Sequence, residues 1–180
     1  RPRGGTRELE GRPPVVKQDP SLKRRERGSC TACCTALGVR ELDKPMGRSC
    51  VHLCAGGCAI YTDRPASCRT FDCSWLQGFF DERDRPDKTG LVPTIVANGQ
   101  AVVLHQVWAG AAEEPGGREF VRRVATEHLV LLRRGRKILV KGPDAEVRRF
   151  KRKNKFLEAH PGMMPDVPGV DPNEPEEEAL

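Results

Sequence analysis

Aromatic side chains are scarce, at 5% of 180 residues with a single tyrosine. Cysteine is missing from most of the chain: all eight lie between Cys30 and Cys73. A secreted disulfide scaffold staples its whole length, because its core is inadequate everywhere. Confinement to one block therefore argues against a disulfide knot. No stretch approaches the roughly 20 apolar residues that cross a bilayer, so no membrane span is expected. No apolar run follows the basic start, so no secretory signal is expected either. G-x-S-x-G, the Walker A loop and the dinucleotide glycine fingerprint are all missing, which removes those classes of enzyme as readings. His105, His128 and His160 lack ligand spacing.

Charge is present in abundance, with 31 Lys/Arg against 25 Asp/Glu and a net of +6. It is unevenly spread. Basic residues dominate 1–27 and 118–155, and acids dominate 161–180. A basic body attracts nucleic acid or anionic lipid, but few aromatics are interleaved to stack bases. Any nucleic-acid binding is expected to be weak and electrostatic.

The chain divides by composition. Residues 1–27, with Pro13, Pro14 and Pro20 among charges, read as a flexible basic arm. Residues 28–80 are the cysteine domain. Residues 81–90 lack an apolar anchor and read as a linker. Leu91–Ala97 and Ala101–Val107 are strand-like, and Asn98-Gly99 supplies the positive φ of a tight hairpin turn. Phe120, Val121, Val124, Ala125 and His128 recur at helical spacing after Pro115. Leu129–Leu132 and Lys137–Val140 then read as a second hairpin, turning near Gly135. A short basic helix is expected at 144–157, which closes a small module spanning 91–157. The acidic tail at 161–180 is expected to be disordered. The fold class is α+β: a loop-rich, metal-stabilised cysteine domain, then a small antiparallel hairpin–helix–hairpin module.

The chemistry sits in the cysteines. Cys30 and Cys33 form C-x2-C, which lets a tight turn aim two thiolates at one metal ion. Cys34 follows directly, so its side chain diverges from Cys33. Cys50, Cys54 and Cys58 are spaced at four residues, with Gly56-Gly57 breaking any helix. Cys68 and Cys73 close the set. Eight thiolates match two four-cysteine zinc sites, or one iron–sulfur cluster with cysteines to spare. Cysteines this crowded read better as ligands than as nucleophiles. Arg64 and Arg69 are placed to donate to thiolates or to Asp63 or Asp72. Tyr61, Phe71, Trp75, Phe79 and Phe80 are expected to form a small core around the metal.

The stretches CTACC from Cys30, CVHL from Cys50 and CAIYTDRPASCRTFDC from Cys58 resemble the YkgJ, or CxxCxxCC, family of zinc- or iron-chelating domains. Ile60-Tyr61, Arg64-Pro65, Cys68-Arg69, Phe71 and Cys73 fall where that family places them. The resemblance covers about residues 28–80 and implies metal chelation, often as an iron–sulfur cluster. Arg27 stands where the family has its first cysteine, and Cys54 stands where it has a non-ligand. The expectation is that Cys54 fills the vacancy.

The expected metal ligands are thus Cys30, Cys33, Cys34, Cys50, Cys54, Cys58, Cys68 and Cys73. The expected function is chelation of zinc or iron, the latter including an iron–sulfur cluster, in a reducing, cytoplasmic compartment. The rival readings are an iron–sulfur redox enzyme or electron carrier, and a zinc-stabilised nucleic-acid-binding module.

Overall fold

The computed structural model describes residues 22–96, 99, 101–134 and 137–159. The acidic tail, most of the N-terminal arm, Asn98 and Gly135 lie outside the described residues. The elements run α1 (Cys33–Ala36), β1 (Leu53–Cys54), β2 (Gly57–Cys58), α2 (Ala66–Thr70), α3 (Pro86–Thr89), β3 (Leu91–Val96), β4 (Ala101–Gln106), α4 (Pro115–Glu127), β5 (Leu129–Arg134), β6 (Lys137–Lys141) and α5 (Asp144–Ala159). The chain is α+β, as its composition and periodicity indicate.

β3, β4, β5 and β6 pair in that order as one sheet. Both hairpins form, but the sheet is mixed rather than antiparallel, because β4 and β5 run parallel. The reason is the helix between them. α4 carries the chain back along the sheet, so β5 starts from the same end as β4, as parallel neighbours require. Pro115 is tolerated at the first helical position, where its missing N–H has no partner to lose. Gly117 is needed inside α4, since a Cβ there would lie 2.0 Å from the Ala111 carbonyl oxygen.

Every described residue from Ala101 to His105 is buried, so β4 is covered on both faces. One face packs Leu91, Val102, Leu104, Val130 and Leu132 against Phe120, Val121 and Val124 of α4. On the opposite face Val92 packs against Cys30, Ala32 and Ala36, with Phe71, Cys73 and Val107 at the margin. The cysteine block is therefore the third layer of one packed body. Ser74 reinforces the seam: its N–H donates to the Pro93 carbonyl at 2.9 Å, and its hydroxyl accepts from the Ile95 N–H at 2.8 Å.

Residues 81–90 are not a linker. Glu82–Asp84 form a 3₁₀ turn and α3 follows, with Asp84, Pro86 and Thr89 buried. Charge anchors this segment together with the fully buried Pro86. Arg123 of α4 ion-pairs with buried Asp84 and, at 2.9 Å, with Asp81. Residues 22–27 of the expected arm are docked as well. Arg25 stacks over the Trp75 ring at 5.1 Å and donates to the Trp75 carbonyl at 2.7 Å.

Removing one partner of a buried ion pair leaves an uncompensated charge, at a cost of roughly 3–5 kcal/mol. Asp84 is 3% exposed, but Arg123 is partly solvated, so Arg123→Leu is expected to cost about 3 kcal/mol. Double replacement with Asp84→Asn is expected to recover part of that loss. Urea unfolding of both variants checks it.

His105 lies on the cysteine-facing side of β4, between Val92 and Arg133 in the register. It is 9% exposed and its Nδ1 makes no hydrogen bond among the described residues. Burial first, and the Arg133 charge second, lower its pKa to about 4. Between that value and 6.5 the unfolded chain binds the extra proton, so acid favours unfolding. The contribution is complete above the unfolded pKa and falls away as pH drops towards 4. Wild type is expected to lose about 2 kcal/mol more than His105→Leu on going from pH 7.5 to 5. Denaturant titrations at the two pH values measure the difference.

Candidate metal centre

The centre is organised by a single helical turn. The Cys30 N–H donates to the Arg27 carbonyl at 3.3 Å, the Cys34 N–H to Thr31 at 2.8 Å and the Ala36 N–H to Ala32 at 3.0 Å. Successive residues on such a turn point about 100° apart. Cys33 and Cys34 therefore address different neighbours, although their sulfurs remain within hydrogen-bonding reach.

Cys33 faces Cys30, Cys73 and Arg27. These four line a small, mostly apolar cavity, closed by Phe71, Trp75, Leu76 and Val92. Cys30 comes from the turn before α1, and Cys73 from the segment that Ser74 pins to β3. The two approach each other because both sides of the cavity rest on the sheet. Burial raises the pKa of Cys73. Within the vicinal pair, the interaction of the two thiols lowers the pKa of Cys33 and raises that of Cys34.

Cys34 belongs to a second group with Cys50 and Cys68. The Cys50 N–H donates to the Cys34 carbonyl at 2.9 Å. Cys68 rides on α2, and Glu41 holds that helix at its start: the Ser67 N–H donates to Oε1 at 3.1 Å and the Ser67 hydroxyl to Oε2 at 2.8 Å. Cys34 and Cys50 both act on Cys68, whose pKa is raised chiefly by burial.

Lys44 completes this group. It is 8% exposed, and its ammonium donates to the carbonyls of Thr35 at 3.3 Å, Pro45 at 3.2 Å and Leu37. Those acceptors neutralise none of its charge. Burial lowers its pKa, while Cys50, Cys34, Cys33 and Cys68 work in the opposite direction. A buried ammonium whose charge acts on these thiols favours their thiolate forms.

Six of the eight expected ligands are thereby gathered around α1. Cys54 is exposed on the β1–β2 hairpin, and Cys58 sits half-buried on the partner strand. The thiols acting on Cys33, Cys34, Cys68 and Cys73 all come from the other six. The position vacated by the resemblance's first cysteine is filled by Arg27, which turns its charge on the thiols.

Arg64 lies over the Tyr61 ring at 3.9 Å rather than on a sulfur, and it is Arg24 that holds Asp72 in a two-pronged pair at 2.8 and 2.9 Å. The aromatic residues also disperse. Phe71 and Trp75 line the cavity, Phe80 packs edge-on against Phe120 at 5.1 Å, and Tyr61 is 55% exposed. Sequence reasoning missed Lys44, Arg27 and Glu41. Each lies in a polar stretch without periodicity, and only the fold brings it to the thiols.

All eight cysteines are free. Among the described residues, no three His, Cys, Asp or Glu side chains stand converged to hold a metal ion. The donors fit a thiophilic metal in kind, as clustered thiols beside fixed cations. Their side chains must close on the ion to ligate it. Comparison with known protein families, with curated proteins and with solved structures returned no match.

The separation of Cys54 is directly measurable. A bulky maleimide at neutral pH is expected to label Cys54 well before buried Cys30, read by peptide mass spectrometry. Equal protection of the two would contradict this placement.

Proposed function

We propose that this protein chelates a thiophilic metal, zinc or iron including an iron–sulfur cluster, through the cysteine block. One observation carries the reading. Cys30, Cys33 and Cys73, from both ends of the 44-residue block, line one small cavity beside α1, with Cys34 next to Cys33 on the same turn. Clustered thiols are the donor type that a thiophilic metal selects. Arg27 and Lys44 support the same reading, because thiolates bound to a metal retain negative charge that a buried site must balance. The resemblance to the CxxCxxCC family points the same way through its cysteine and aromatic pattern.

Zinc would supply structural cross-linking, and an iron–sulfur cluster would add electron transfer. This chain's own residues position the sulfurs, exclude water on the Phe71–Trp75 side and provide counter-charge. The loop from 37 to 70 has few apolar anchors, whereas residues 71–76 are fixed to the sheet.

Metal analysis of anaerobically purified protein tests the proposal. Bound metal is expected in wild type and in Cys54→Ser, with loss in Cys68→Ser. A brown protein indicates iron–sulfur and a colourless one zinc. Chelation is expected to expose 37–70 to limited proteolysis while 71–76 stay protected. Wild-type protein that carries no zinc or iron sinks the reading.

A further inference from the structure

We infer that the exposed face of α5 binds the phosphate backbone of duplex DNA without reading its sequence, an activity separate from metal chelation.

Unpaired charge carries the inference. On the rest of the body arginine repeatedly meets acid, as in Arg24 with Asp72, Arg85 with Asp87 and Arg122 with Glu119. On α5, Arg148, Arg149, Lys151 and Arg152 are all exposed, and none has an ion pair among the described residues. Asp144 and Glu146 lie in the first turn, where the backbone dipoles favour acids, and they take up none of these cations. At about 100° per residue, the exposed positions of α5 sweep an arc of about 160° that carries all four. Val147, Phe150 and Asn154 share the opposite side and are half-buried.

The make-up of this face selects the ligand. A patch of one sign attracts a polyanion. No large apolar side chain stands among the four cations, so the face lacks what an interfacial helix buries in a bilayer. No aromatic ring stands among them either, and single strands are held by stacking their bases on rings. A duplex backbone is the polyanion that cations alone bind. A helix with its side chains is roughly 10–12 Å across, which suits the major groove of B-DNA, about 12 Å wide. The major groove of A-form RNA is deep and narrow by comparison. Phosphate contacts carry no sequence information, and the one amide side chain of α5, Asn154, lies on the half-buried side.

The test titrates the full chain into a short labelled DNA duplex and follows anisotropy between about 50 and 200 mM salt. Four phosphate contacts give a slope of log affinity against log salt of about −3.6. The same affinity is expected for duplexes of unrelated sequence. Replacing two cations, in Arg148→Gln with Lys151→Gln or in Arg149→Gln with Arg152→Gln, is expected to move the slope to about −1.8. Arg122→Gln, whose arginine is matched to Glu119, is expected to leave it unchanged. Tryptophan fluorescence monitors the fold, and if one double variant unfolds the other replaces it. An unchanged slope in a folded double variant overturns the inference, as does tighter binding to single strands, to an RNA duplex or to anionic vesicles. A wild type that binds no duplex also overturns it, and recovery of binding on removal of 161–180 would identify that acidic segment as the occupant instead. Metal binding stands or falls separately from each of these outcomes.

Discussion

The contact between Val92 and the turn bearing Cys30, Ala32 and Ala36 fixes everything else about the centre. Val92 is on a strand whose other face is already committed to α4, so its side chain needs cover from a second layer. The cysteine block provides it, and in doing so is held at a defined height above the sheet. β3 is an edge strand, and edges invite unwanted pairing. Here Pro93 removes one donor from that edge, and Ser74 occupies the Pro93 carbonyl and the Ile95 N–H. The residue next to Cys73 thus completes the sheet, and a metal-ligand candidate inherits the rigidity of the strand.

Charge plays the part that apolar residues play elsewhere. The segment joining block to sheet is almost entirely charged, yet it folds because Arg123 reaches across from α4 to Asp84 and Asp81. Arg25 and Arg85 both approach the face of Trp75, which is 3% exposed. Stacked guanidinium groups cover aromatic surface while keeping hydrogen-bond donors available. In a chain with so few aromatic residues, arginine supplies part of the lid over the cysteine cavity.

The helix, both hairpins and the thiol-rich block were legible in sequence because each depends on local pattern. Phe120, Val121 and Val124 announce α4 by spacing alone, and β3 and β4 follow from two strand-like apolar runs on either side of Asn98-Gly99. The parallel pairing of β4 with β5 was not legible, since it depends on where α4 returns the chain. Residues 81–90 were misread for a related reason: their order comes from Arg123, which lies 39 positions beyond Asp84. Cys54 was read as filling the vacancy at Arg27, a reading that rests on pattern rather than geometry. The fold places it on an exposed two-residue hairpin and puts a cation, Arg27, in the vacancy. Lys44 was invisible because buried lysines carry no sequence signature; only the carbonyls of Thr35, Leu37 and Pro45 reveal it.

The vicinal pair Cys33–Cys34 explains how so small a block can present two faces. Had the turn carried one cysteine, the sheet-side cavity would have had its third thiol, and the loop side would have held only Cys50 and Cys68. Had the two been separated by a residue, they would have pointed to opposite sides of the turn. Adjacency within a helical turn gives both divergence and contact. The pair is unequal, with the pKa of Cys33 lowered and that of Cys34 raised by their interaction. The divergence sends Cys33 into an apolar cavity backed by the sheet and Cys34 towards a loop secured by Lys44 and Glu41. The first side is rigid because strands support it. The second is held by the polar contacts of Lys44 and Glu41.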